Sequence, residues 1–393
     1  MSELRTRLAR AHDAQWRDPG EAIASAPIAI SDRRILHGRA SGAWWDFLDE
    51  AGITLLVTRE YEHLLMALTM LNGRPEISYL PLPHPAGIAV DSSRATVVVA
   101  STRNPNQVFE LKPADGFLER GDVRPPLLDF APLVPTRSSI HPGALYLHDL
   151  AFVGGKLFAN SVGQNAVVRL ERDESRVAWW PRCVERAGVP DLTRNYLQLN
   201  SIAAGDTLES SFFSASSDTM SHRRPGHRNF PVDRKGVVFS GMTREVVARG
   251  LTRPHSARLH RSSLWVDDAG YGELVVVRDG GVETIARLPG WTRGLAFVQG
   301  VAVVGTSRVL PRFRQYAPGL DADACRCGLH AVDLDTGRVV GSYVWPLGDQ
   351  IFAVDSIPRG VSAGLPYSLR RGSDVVRRLF YSFDSTAKER GRT

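Results

Sequence analysis

A chain of 393 residues, 43% hydrophobic and 23% charged, is long enough to bury a large core and too apolar to remain unfolded. Its formal charge is 48 basic minus 42 acidic residues, or +6, and because Lys112, Lys156, Lys235 and Lys388 are its only lysines, arginine carries the basic excess. No basic helix or aromatic-interleaved basic strand stands out, which argues against nucleic acid as a partner, and no apolar run reaches the roughly eighteen residues of a membrane span.

The first element predicted in chain order is a short helical lead over "GAWWDFLDEAG" (Gly42 to Gly52). Beyond it the apolar runs are short, rich in Val, Ile, Leu and Phe, and closed by Gly, Asp, Asn or Ser, as in "ITLLVT", "ATVVVAST", "KLFANS", "SLWVDD" and "VAVVGTS". One opening recurs six times: "AGIAV" at Ala86, "HDLAF" at His148, "NSIAA" at Asn200, "HSARL" at His255, "RGLAF" at Arg293 and "QIFAV" at Gln350. A spacing of roughly 40 to 60 residues suits four-stranded blades with variable loops. The expected fold is therefore an all-β, six-bladed β-propeller: residues 1–50 a partly helical lead, 51–385 the propeller, 386–393 a disordered tail. Two β-sandwiches would not need the same opening six times. Ring closure is expected from "GITLLVTREY" pairing with "VRRLFYSFDS" near the C-terminus.

Several ordered stretches, among them "LVPTRSSIHPGALYLHDLAF", "LTRPHSARLHRSSLWVDDAGYGELVVV" and "LPGWTRGLAFVQGVAVVGTSR", resemble an uncharacterised bacterial family of conserved hypothetical proteins. Its members are filed under a domain of unknown function or mislabelled as tetratricopeptide proteins. The likeness runs from about Gly52 to Leu365 and implies an architecture distantly like the six-bladed lactonases and strictosidine-synthase-like propellers. The chain departs from the family pattern at Gln198 or Leu199, where a His is expected, and at Ala353, where an Asp is.

In a propeller the innermost strands line the axis, so equivalent positions converge at one mouth. His148, Asn200, His255, Arg293 and Gln350 are expected to ring that mouth, with His84 at its edge. The expected function is an enzyme acting on a small polar or anionic molecule, of non-redox lyase, isomerase or hydrolase type. His148, His255 and Arg293 would be catalytic, and Asn200, Gln350 and His84 would bind substrate. His148 and His255 are also candidate metal ligands; nitrogen donors with one adjacent acid, Asp149, would favour zinc, iron, manganese or copper over calcium. The alternative is a non-catalytic binding or scaffold propeller whose histidines are structural.

No phosphate-cradling glycine loop opens a helix, so no nucleotide cofactor is expected, and no blade-equivalent register of aromatics points to a lectin. "WWPRCVERAGVPDLTRNY" (Trp179 to Tyr196) and the insertion at 216–231 break the blade rhythm and are candidate lids. Cys183, Cys325 and Cys327 cannot form a disulfide framework and are expected as free thiols, and the N-terminus lacks a signal-peptide core, so a cytoplasmic location is expected. Oligomeric state is left open.

Overall fold

The computed structural model describes residues 33–102, 106–114, 130–141, 143–172, 174–221 and 230–369. Their strands form six antiparallel sheets of four or five strands and one two-stranded ribbon, Glu185–Arg186 with Val189–Pro190. The six inner strands are Pro85–Asp91, Leu147–Val153, Leu199–Ala203, Pro254–His260, Trp291–Val298 and Ala353–Pro358, and each packs against the next until the last meets the first. This closed ring is a six-bladed β-propeller, with blades 1 to 6 numbered by those strands. All six sequence openings fall at or just before the inner strands.

Closure differs from the pairing expected from sequence. The strand Ile53–Arg59 takes Ala353–Pro358 on one side and Leu64–Leu71 on the other, so blade 6 combines a C-terminal inner strand with three N-terminal strands. Both hydrogen-bonding edges of Ile53–Arg59 are thereby used, which leaves none for "VRRLFYSFDS", a stretch outside the described residues. The helical lead forms at Trp44–Glu50 and buries Trp44 and Leu48. Just before it, Arg39–Gly42 joins the outer edge of blade 5 by pairing with Val339–Trp345.

The repeated opening has a structural cause. In blades 1 to 5 the inner strand carries one extra residue relative to its partner at the opening, a β-bulge that re-aims side chains toward the axis. A bulge leaves an N–H without a ladder partner, and the second residue of the preceding opening supplies an acceptor. Asp149 accepts from Ile202 N at 3.0 Å, Ser201 from Ala257 N at 2.7 Å and Ser256 from Gly294 N at 2.7 Å. Where neighbouring backbones press closest that second residue is glycine: a Cβ on Gly87 would lie 2.6 Å from Leu150 N, and Gly294 combines a φ of +85° with a Cβ position 2.9 Å from Val354 N. In blades 2, 5 and 6 the first opening residue lines the mouth, and in blades 2 to 4 the second ties one blade to the next.

Candidate active site at the axial mouth

The residue just before four of the inner strands is left-handed although it is not glycine: His84, Tyr146, Gln198 and Arg253, with φ between 39° and 56°. Such strained backbone persists only where surrounding structure enforces it, and it collects at binding sites. Tyr146, Gln198, Arg253 and the corresponding Trp291 form an outer ring two positions ahead of the opening residues. Together with His148, Arg293, Gln350 and Phe352 they line a cavity of about 430 Å³ at the mouth. Its cover comes from Glu60 and Tyr61 in the turn after Ile53–Arg59, from Asn195, and from Arg312, Phe313, Gln315 and Tyr316 of the 3-10 helix Pro311–Tyr316.

The expected site residues are therefore unevenly placed. His148, Arg293 and Gln350 line the cavity. His255 lies beside His148, ring centroids 5.2 Å apart, and both rings rest on Phe352, at 4.7 and 5.3 Å. The His255 Nδ1 is 2.9 Å from Ser256 Oγ, and its buried Nε2 has no hydrogen-bond partner among the described residues. Asn200 spends its amide N–H groups on Pro254 O in the next blade and on Ser216 Oγ, which is a tie between blades. His84 sits against His63, ring centroids 4.3 Å apart, and is not among the lining residues.

Electrostatically the mouth is dominated by arginine. Arg253 and Arg293 are 8% and 5% exposed, and neither takes part in an ion pair closer than 4 Å among the described residues. Aromatic faces hold both guanidiniums: Arg253 lies 4.6 Å over Tyr316, and Arg293 lies 4.4 Å over Trp291 and 5.2 Å over Phe352. Among the described residues Arg253 Nη1 and Arg293 Nε are buried without a hydrogen-bond partner, as is Gln350 Oε1. Burial, and then the like charge of Arg293, pull Arg253 down to about 10; burial also lowers Arg293, against the opposing pull of Glu60. His255 is held well below the usual imidazole range by burial, then by Arg293 and by the charged form of His148, and is neutral at pH 7.

Arg258 of blade 4 grips Asp149 of blade 2 with two bonds, Nη1 to Oδ2 at 2.7 Å and Nη2 to Oδ1 at 3.2 Å. Asp355 beside them is raised to about 6 and Asp267 is raised well above the usual carboxylate range, both chiefly by burial. Among the described residues no group of three or more His, Cys, Asp or Glu side chains is placed to hold a metal ion. A second cavity, of about 480 Å³, opens between blades 1 and 2, but many of its charges are already matched in pairs such as Arg94 with Asp91, Lys112 with Glu110 and Arg169 with Glu171. It reads as a solvated cleft.

Sequence reasoning missed the outer ring, because its residues are chemically unlike one another. The left-handed backbone shared by four of the residues that precede inner strands has no sequence signature when the residue is not glycine or asparagine. It missed the Pro311–Tyr316 cover as well, although "PRFRQY" inside a long connection between two blade-5 strands was a visible signal. Of the two expected lids, Trp179 to Tyr196 contributes Asn195, while residues 222–229 of the other lie outside the described residues.

A family profile described as a domain of unknown function, DUF4915, matches residues 42–364. No curated protein matches the sequence. Among solved structures, a chain of a nidogen–laminin complex superposes with a TM-score of 0.51 at 11% identity, covering 80% of this chain and 100% of that one. A gluconolactonase from Xanthomonas campestris gives 0.43 at 12% identity, covering 75% and 86%. A protein described as a putative glucose dehydrogenase, from Thermus thermophilus, gives 0.44 at 16% identity, covering 75% and 100%. The first likeness shows the fold alone, and the other two carry no argument about activity.

Proposed function

The chain belongs to the DUF4915 family, a domain of unknown function, and from that premise we propose that it binds a small anionic molecule at the axial mouth and acts on it by acid–base chemistry. The observation that carries this reading is the Arg253–Arg293 pair, two buried like charges in the lining of a cavity whose one carboxylate among the described residues is Glu60. A buried charge is costly unless paired, and an anionic ligand would pair both. In this reading Arg293 and Arg253 anchor the negative group and Gln350 orients it. His148 exchanges a proton with the substrate, and neutral His255 supports it from behind. A non-redox lyase, isomerase or hydrolase needs this set: a proton carrier beside a preorganised positive field.

A divalent metal on His148 and His255 is less favourable. Two imidazoles find no third donor among the described residues, and the two arginines repel a cation. The scaffold reading draws support from the Asn200 and His255 hydrogen bonds, which are structural. Thermal unfolding with a panel of small carboxylates, phosphates and neutral analogues separates the two. The ligand-binding reading requires a concentration-dependent rise in Tm with some anions that Arg293→Gln abolishes; a scaffold gives no rise with any of them.

A further inference from the structure

Resting on the anion-binding reading, the charge of the cavity specifies which anions fit. Among the described residues its lining holds three arginines, Arg253, Arg293 and Arg312, against one acid, Glu60, a surplus of two positive charges with His148 counted as neutral. Arg312 belongs to the cover and lies over Tyr61 at 5.1 Å and Phe313 at 4.7 Å, so each of the three guanidiniums is fixed on aromatic faces. Preorganised guanidinium edges suit an anion with several acceptor oxygens, since each bond then costs little side-chain freedom. A monocarboxylate would match only the buried excess of Arg253 and Arg293 over Glu60 and would leave Arg312, exposed on the cover, without an anionic partner. We propose that the ligand is a dianion, a phosphate monoester or a dicarboxylate, and that Arg253 in the outer ring is the residue that selects it over monoanions.

Arg253 suits this role because nothing else explains it. The charge that acts on it most strongly is Arg293, its backbone is left-handed at φ 56°, and its Nη1 is buried with no hydrogen-bond partner among the described residues. A residue kept for stability would have a carboxylate beside it. Arg253 instead adds repulsion to the empty mouth, which an arriving dianion removes.

The test titrates wild type and Arg253→Gln with phenyl phosphate, succinate and benzoate at pH 7.5, followed by Trp fluorescence and calorimetry. The proposal requires phenyl phosphate or succinate to bind at least tenfold tighter than benzoate, and which of the two leads identifies the source of the dianion. Arg253→Gln must weaken the dianion by tenfold or more and benzoate by much less, and its ligand-free Tm must equal or exceed that of wild type, an outcome a structural arginine would not give. If phenyl phosphate is the better ligand, its binding must also weaken below about pH 6, where the phosphate monoester dianion takes up a proton and becomes a monoanion. Benzoate binding as tightly as both dianions overturns the dianion assignment and leaves anion binding standing. No binding of any probe overturns both.

Discussion

The ring centroids of His148 and His255 lie 5.2 Å apart, and both imidazoles rest on the same aromatic partner, Phe352, yet the two histidines do different work. His148 lines the cavity; His255 is 4% exposed and bonded to Ser256. We predict that His148→Gln melts close to wild type and loses turnover once a substrate is in hand. His255→Ala should lose about 1 to 3 kcal/mol, as expected for a disrupted buried hydrogen bond. Urea unfolding of the two variants checks this, and equal losses would refute the division of labour.

Phe352 lines the mouth, is 2% exposed and packs against His148, His255 and Arg293. Phe352→Ala should cost about 3 to 5 kcal/mol through the cavity it leaves. Phe352→Leu should recover most of that, and denaturant midpoints of the pair give the comparison.

The Arg258–Asp149 pair crosses between blades 2 and 4 and carries a further bond from Ile202 N. With side chains 21% and 5% exposed, it lies near the buried limit, where removing one partner strands the other charge. Arg258→Met alone is predicted to lose about 3 kcal/mol. Adding Asp149→Asn should cost far less than a second loss of that size, so a double-mutant cycle should show strong coupling. Additive losses would mean the pair does not hold the ring.

Stability should also depend on His330, which is buried between Thr306 Oγ1 and Ser342 Oγ and lowered to about 4 by burial. The unfolded chain binds this proton from about pH 6.5 downward and the folded protein only near pH 4, so the contribution is complete above 6.5 and is lost as pH falls to 4, about 3 kcal/mol in all. Asp268, raised to about 7 by burial, works in the opposite sense: its contribution is present at low pH and fades as pH rises through 7. Because the two oppose each other, the measurement is a difference. Between pH 6.5 and 4, His330→Gln should lose less stability than wild type, and parallel curves would contradict the assignment.

The three cysteines stand as free thiols, as the sequence led one to expect. Cys183 and Cys327 are pushed up to about 12 by burial, and burial raises Cys325 as well. A thiol reagent at pH 8 should therefore titrate three groups in denaturant and react only slowly with the folded protein. Fewer than three in denaturant, with no metal bound, would point to oxidation.

The architecture was legible because the opening marks a physical necessity repeated from blade to blade. The inner strands of blades 1 to 5 bulge at the mouth, and the second opening residue must be small or must accept a hydrogen bond, as Gly87, Ser201, Ser256 and Gly294 show. The same logic located His148, Arg293 and Gln350 at the cavity. It overvalued Asn200, because an amide that ties Pro254 to the ring reads in sequence like one that faces a ligand. Arg253 stayed hidden, since its burial depends on Tyr316, a residue brought over the mouth from a long connection in another blade.

The most direct test of the central claim is a crystal structure grown with selenate, a dianion whose anomalous scattering locates it without ambiguity. An anomalous peak is expected inside the mouth within hydrogen-bond distance of the Arg253 and Arg293 guanidiniums, absent from Arg253→Gln crystals. A mouth holding only ordered water at saturating selenate would contradict it.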